Sequence, residues 1–247
     1  MTVECHSCGR EFQVINLHYS KSQSCTYPDL TEEQHNLLIG LTMGDGCVQK
    51  ARRDGGHASM TVSSTNERWL RWLFSRFGER LAVEPVLKST GAELQENAAK
   101  YPKFDNSGGE WEYSDIYMLR IRAHPALTQI REEWYPDDTI RYPSTLDLNP
   151  TITKAWYCSD GGLSWSDREH AFAAFGTHNE ADRAEFLCRL FRIHGFDPNW
   201  SEPLVRFDLD GTKQLLSWMG PAPPGFEYKW EHRSREQYDE LKQEVTA

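Results

Sequence analysis

The chain has 247 residues, 38% hydrophobic and 12% aromatic, which is enough for two modest domains or one pseudo-symmetric domain with an appendage. Its formal net charge of −10 argues against a uniformly basic nucleic-acid binder. No apolar run approaches the ~18 residues of a membrane span and no signal-peptide core opens the chain, so a soluble cytoplasmic protein without membrane association is expected. Acidic residues crowd Glu132-Glu133, Asp137-Asp138 and 236–244, whereas Arg and Lys recur in strand-like segments. Arginine outnumbers lysine two to one, a balance similar to that of a salt-in halophilic archaeon, where an acidic exterior is the background.

Residues 1–28 stand apart. Cys5, Cys8, His18 and Cys25 follow the pattern C-x2-C-x9-H-x6-C, four ligands that suffice for a closed tetrahedral structural zinc site. The interval to the histidine is short for a finger, so His6 and His35 are alternatives to His18, and free cysteines in a flexible terminus are the competing reading. So short a segment rarely folds without a metal. Cys47, Cys158 and Cys188 lie in apolar segments and read as buried thiols.

A first half is expected over 29–143. Thr31 and Gln34 form a capping box that opens a helix over 32–45, ended by Gly46. The period then changes to two: a strand over 47–52, a turn at Asp54-Gly55-Gly56, and a strand over 57–63 with Met60 and Val62 inward. Ser64-Thr65-Asn66-Glu67 reads as a second capping box before an amphipathic helix over 68–81, followed by a strand over 82–88. Residues 90–113 are polar and weakly periodic, a loop or inserted extension. A strand over 115–123 alternates, Leu119 and Ile121 one way and Arg120 and Arg122 the other, before a helix over 125–135 and a linker over 136–150.

Over 144–220 the order begins again. A helix ending at Asp160 leads to a strand over 162–166, a turn at Asp167-Arg168, a strand over 170–176, a capping box at Thr177-His178-Asn179-Glu180, a helix over 181–194, a strand over 204–207 and a short helix over 213–219. Val205 and Phe207 face inward on that last strand and Arg206 outward. Residues 221–247 begin with Pro-Ala-Pro-Pro-Gly and read as a surface tail.

The repeat is visible without alignment. Asp45 lies 21 positions before Asn66 and Asp160 lies 19 before Asn179, so each Asp-Gly is followed by a hairpin and an Asn-Glu helix start. A single Asp-Gly is an ordinary helix stop; two with matched flanks argue for more. Gly40 and Gly44 in the first helix, like Ala155 and Ser159 in the second, are small residues four apart on one face, where two backbones can approach closely. Glycine inside a helix costs about 1 kcal/mol relative to alanine, so a packing partner is required, and the other copy is the one at hand. Pairing through these faces brings Asp45 and Asp160 together at two helix C-termini, an arrangement that like-charge repulsion and both helix dipoles oppose and a divalent cation relieves.

The stretches 38–46 and 153–161, with the hairpin, helix and strand order behind each, resemble the paired signature of LAGLIDADG homing endonucleases of the two-motif, single-chain type. The resemblance covers about 30–220 and implies an α+β fold: a pseudo-two-fold pair of αββαββα halves, each a curved antiparallel sheet with helices on one face. It implies a monomer that cleaves both strands of double-stranded DNA at a specific site by metal-assisted phosphodiester hydrolysis. Carried over, Asp45 and Asp160 are the catalytic acids and ligands of Mg²⁺ or Mn²⁺, with the Gly44 and Ser159 carbonyls as further ligands. The polar residues that assist the metals in this family fall on strands; Gln49, Lys50, Lys88 and Arg122 are candidates. Together with Arg52, Arg53, Arg120 and Arg206 they are also the candidate DNA contacts, read as a set rather than singly, since any one cation is as readily solvated surface.

The motif interiors, Thr42-Met43 and Trp156-Tyr157-Cys158, depart from the familiar pattern in ways that bear on helix packing more than on chemistry. The chain runs from Met1 to Ala247 without splice-junction residues, which argues against an intein precursor. Two other readings use the same scaffold: a maturase that binds intron RNA, and a non-catalytic DNA-binding regulator. Neither needs the two acids.

Overall fold

The computed structural model describes residues 2–100, 113–166 and 170–246. Two halves with the same element order make up most of it. The first runs α2 (Glu32–Met43), β3 (Gly46–Gln49), β4 (Ser59–Ser64), α3 (Glu67–Leu81), β5 (Ala82–Ser89), β6 (Ile116–Ile121) and α5 (Pro125–Trp134), with α4 (Gly91–Lys100) inserted between β5 and β6. The second runs α6 (Pro150–Asp160), β7 (Gly161–Trp165), β8 (Ala171–Gly176), α7 (Ala184–Arg192), β9 (Asn199–Ser201), β10 (Leu204–Arg206) and α8 (Leu209–Met219). Both are αββαββα, and both antiparallel sheets have the same strand order, β3-β4-β6-β5 and β7-β8-β10-β9.

Period-two patterning decides which sheet face is covered. Val48, Met60, Val62, Leu119 and Ile121 in the first sheet and Leu163, Ala171, Ala173, Phe175 and Val205 in the second are buried against the helices. Cys47, Gln49, Arg120, Ser164 and Arg206 alternate with them and are exposed. Each sheet thus keeps one free face. The exposed Cys47 corrects the expectation of a buried thiol: it pairs with Thr61 on the outward side of the β3–β4 ladder. Cys158 and Cys188 are buried as expected.

The halves meet at α2 and α6, and their buried residues form a single core. Thr31 and Gln34 make the expected capping box, with Gln34 N donating to Thr31 Oγ1 at 3.2 Å and Thr31 N to Gln34 Oε1 at 3.0 Å. Asn149 caps α6 through Ile152 N, followed by Pro150 in the first turn. Other expected caps shift. Asn66, not Ser64, caps α3. At 177–180 no box forms: the Thr177 hydroxyl donates to Pro203 O, and Glu180, fully buried, accepts from Tyr142 N and pairs with Arg183 at 2.8 Å, leaving a 3-10 turn (His178–Arg183) before α7. The expected loop at 90–113 begins instead with α4, opened by a Thr90–Glu93 box; 101–112 and the Asp167-Arg168 turn lie outside the described residues.

The tail corrects the expectation of a surface appendage. Phe226 and Tyr238 belong to the core, and Lys229 is 7% exposed. The stretch carrying them, a 3-10 turn (Glu227–Trp230) followed by α9 (Arg235–Thr246), packs back on β7. The 136–150 linker is likewise built in: Tyr142 is buried below the seam, donating its hydroxyl to Met43 O at 2.7 Å and meeting the Trp156 ring edge-on. At the other end, β1 (Val3–Glu4), β2 (Glu11–Phe12) and α1 (Ile15–Lys21) form a small unit with its own core of Val3, Cys5, Ile15, Tyr19 and Cys25.

Candidate functional site

The seam between α2 and α6 leaves no room for a side chain at either glycine of α2. A methyl carbon placed on Gly40 would lie 2.3 Å from the Ile152 carbonyl oxygen, and one on Gly44 would lie 2.3 Å from Ser159 Cβ. The four small residues predicted to form the contact therefore do so, and only hydrogen fits at the two glycines. The same hypothetical carbon on Gly44 would sit 3.7 Å from Asp160 Cγ, so the second acid lies against the residue preceding the first. Asp45 follows α2 in the turn to β3, and Asp160 is the last residue of α6. Both are exposed at the junction of the sheets.

Crowding raises the Asp45 carboxyl above its ordinary value through loss of solvent, and the Lys229 ammonium pulls it the other way. The donors here are oxygens: two carboxylates, with the neighbouring Gly44 and Ser159 carbonyls as candidates. The adjacent sulfur, on Cys158, is buried, which pushes its thiol up to about 12 and keeps it protonated. The Ser159 hydroxyl is turned back to Ala155 O. A hard, partly hydrated cation such as Mg²⁺ or Mn²⁺ suits this set better than a thiophilic one.

Lys229 is the site residue that sequence reasoning missed. Its Nζ donates to Cys158 O and Gly161 O at 2.7 Å each and to Tyr157 O at 3.2 Å, and sits 4.5 Å from the centre of the Phe226 ring. Burial lowers its pKa, while Cys158, Asp45 and Asp160 oppose that shift. The ammonium thus caps carbonyls at the end of α6, where the helix dipole is negative, and places a positive charge behind the two acids. A signal was present: Phe226-Glu-Tyr-Lys-Trp230 is too aromatic for a solvated tail. Lys229→Met should cost about 1–3 kcal/mol by leaving buried carbonyls without a donor. It also removes the charge that lowers the Asp45 pKa, so the acid limb of any activity requiring ionised Asp45 should move to higher pH. A pH–rate profile of the variant checks the sign.

The candidate assisting residues divide. Lys88 Nζ lies 3.5 Å from Ser63 Oγ, and Ser63, with Ser64 and Thr65, lines a cleft shared by Asp45, Tyr228 and Lys229. Gln49 donates to Thr61 Oγ1 on the free face of the first sheet. Lys50 is paired with Asp138 at 2.7 Å, and Arg122 is half-buried with Nε donating to Glu79 O, so neither points to the acids. Arg52, Arg53 and Arg120 gather with Gln49 and Lys50 in one concave surface, and Arg206 is exposed on the second sheet.

The four N-terminal ligands also come together. The ligand atoms of Cys5, Cys8, His18 and Cys25 all lie within 4.8 Å of one another, with Cys8 Sγ 3.6 Å from His18 Nε2. The backbone N–H and guanidinium of Arg10 lower the Cys8 thiol to about 6, favouring the thiolate that binds metal. His6 turns to the Tyr19 hydroxyl and His35 lies on α2, so the histidine grouped with the three cysteines is His18.

Fold and site together define a pseudo-two-fold protein whose paired acids stand between two free sheet faces. The sequence profile of the LAGLIDADG DNA endonuclease family matches residues 35–200. The chain belongs to that family. It is similar to "Uncharacterized protein MJ1098" of Methanocaldococcus jannaschii, 25% identical over 174 residues that make up 70% of this chain; it spans 61% of that relative's length. Among solved structures, its fold is that of the homing endonuclease I-WcaI bound to its DNA recognition sequence, with a TM-score of 0.69 and 14% identity over 92% of this chain and 96% of that one.

Proposed function

We propose that the chain is a site-specific endonuclease that cuts both strands of double-stranded DNA. The observation that carries this reading is the approach of Gly44 to Ser159 and Asp160, which brings the residue before Asp45 against the second acid at the end of the helix pair. A helix pair needing only a stop at each end has no reason to bring two carboxylates together, and a maturase or a simple DNA-binding regulator would not require it.

Asp45 and Asp160 would hold the divalent cations, which when bound supply Lewis-acid polarisation of the scissile phosphate and a more acidic water. Lys229 fixes the end of α6 that carries Asp160, and Lys88, reaching the Ser63 wall, would screen phosphate charge in the Asp45 cleft. The free sheet faces would follow the duplex, with Arg120 and Arg206 among their contacts. Incubation of the protein with a randomised double-stranded DNA library and Mg²⁺ tests the reading: sequences enriched among the cut ends support it, and absence of cleavage with retained RNA binding favours the maturase.

The N-terminal unit would hold one structural zinc through Cys5, Cys8, His18 and Cys25, since its small core is too slight to fold this segment unaided. Elemental analysis of metal-replete protein should find one zinc per chain, lost on Cys5→Ser with Cys8→Ser. Zinc-free wild-type protein would refute the site.

A further inference from the structure

We propose that the Cys/His unit is a DNA-binding extension of the first half, its helix α1 and the turn carrying Arg52 and Arg53 forming a clamp on the duplex backbone beyond the end of the first sheet. This rests on the reading that the chain binds duplex DNA, and adds a partner surface to it.

The unit is fixed to the sheet rather than tethered. Asn16 Nδ2 donates to Ala123 O at 2.7 Å, just past β6. Tyr27 meets the His57 and His124 rings edge-on, with centroids 5.0 and 5.7 Å away. His124 accepts from Ala126 N through Nδ1, which leaves Nε2 to donate to Pro28 O at 2.9 Å. The docked helix closes one side of a cleft whose other walls are the β3–β4 turn and the outward face of β6.

The charge of that cleft is anomalous for this chain. Arginines elsewhere are mostly paired, as in Arg68–Glu227, Arg71–Glu67, Arg141–Asp182 and Arg192–Glu185. Lys21, Arg52, Arg53 and Arg120 line the cleft together with a single acid, Asp54, and among the described residues none of the four is ion-paired with a carboxylate. In a protein of net charge −10, four unpaired cations on one concave surface mark an anion's place. The surface is open and continuous with the sheet face, which suits an extended polyanion better than a small ion. The Lys21 ammonium on α1 is suited to phosphate oxygens, a contact that sets position without reading sequence.

Among the described residues, which leave out 167–169 between β7 and β8, the second half shows no counterpart. Among the described residues, outward positions of its sheet carry Gly162, Ser164, Phe172, Ala174, Asn199 and Ser201 beside Arg206. The N-terminal module therefore adds a backbone grip on the first half's flank of the site.

The test uses the full-length, metal-replete protein and a labelled mixed-sequence duplex, with binding followed by anisotropy across a salt series. Lys21→Glu with Arg52→Glu should weaken binding about tenfold or more and flatten the plot of log K against log salt by about one for each phosphate interaction removed. Lys21→Gln alone should fall between that variant and wild type. Arg206→Glu should change affinity less. All of these positions are exposed, and unchanged metal content and melting midpoint verify folding. If wild type binds duplex and the α1 variants bind equally well with the same slope, the clamp is refuted and the endonuclease reading stands. If wild type binds no duplex at low salt, both fall.

Discussion

Gly40→Ala should lower the melting midpoint, although alanine is the better helix former by about 1 kcal/mol. The added methyl would stand 2.3 Å from the Ile152 carbonyl oxygen and 2.7 Å from Ala155 Cβ, a backbone atom and a side chain too short to swing away. The helices must part, and the expected net loss is about 1–3 kcal/mol. Gly44→Leu should cost several kcal/mol, because the new side chain must occupy the space of Ser159 and displace Asp160 as well. At the scale of a chain this long, each kcal/mol moves the midpoint by about 2–4 °C, so both effects are readable by calorimetry. An unchanged or raised midpoint in Gly40→Ala would contradict the seam. The variant bears on more than stability, since the same contact places the two acids.

That seam was legible because its cause is local. Two small residues four apart, an acid and a glycine, repeated with nearly equal distance to the next helix start, are all contained in two short stretches, and period-two alternation decides which residues of each strand face the helices. What escaped is long-range or competitive. Lys229 reaches carbonyls some seventy positions earlier in the chain, and nothing in the residues around it states that destination. The 177–180 box failed because Glu180 had better partners: Arg183 and the amide of Tyr142 hold it in the interior, in preference to a terminal helix amide exposed to water. The Thr90–Glu93 box is a local signal, but the helix it opens is polar and has no apolar stripe to set it apart from a loop. Short elements also slipped: β9 has three residues, and α8 starts at Leu209, four residues before the expected onset, because Asp208 caps it through Gly211 N.

The second large effect concerns chemistry. Asp45→Asn and Asp160→Asn should each abolish double-strand cleavage of a site recovered from the library, because each removes the carboxylate charge expected to hold a cation near one strand. Neither should weaken DNA binding, which we propose rests on the cations of the sheet faces and the N-terminal cleft; loss of a negative charge near phosphate should leave affinity unchanged or raise it. The folding of Asp45→Asn should be close to wild type, since the burial that raises its pKa penalises the charged form, and the melting midpoint of each variant verifies folding.

The most direct measurement places both variants and wild type on the same labelled duplex, with anisotropy for binding and strand-resolved product analysis in Mg²⁺ for cleavage. Wild type should bind and cut both strands, while each Asn variant should bind at least as tightly and yield no double-strand break. Cleavage of both strands at the wild-type rate by both variants would show that Asp45 and Asp160 are helix stops and no more.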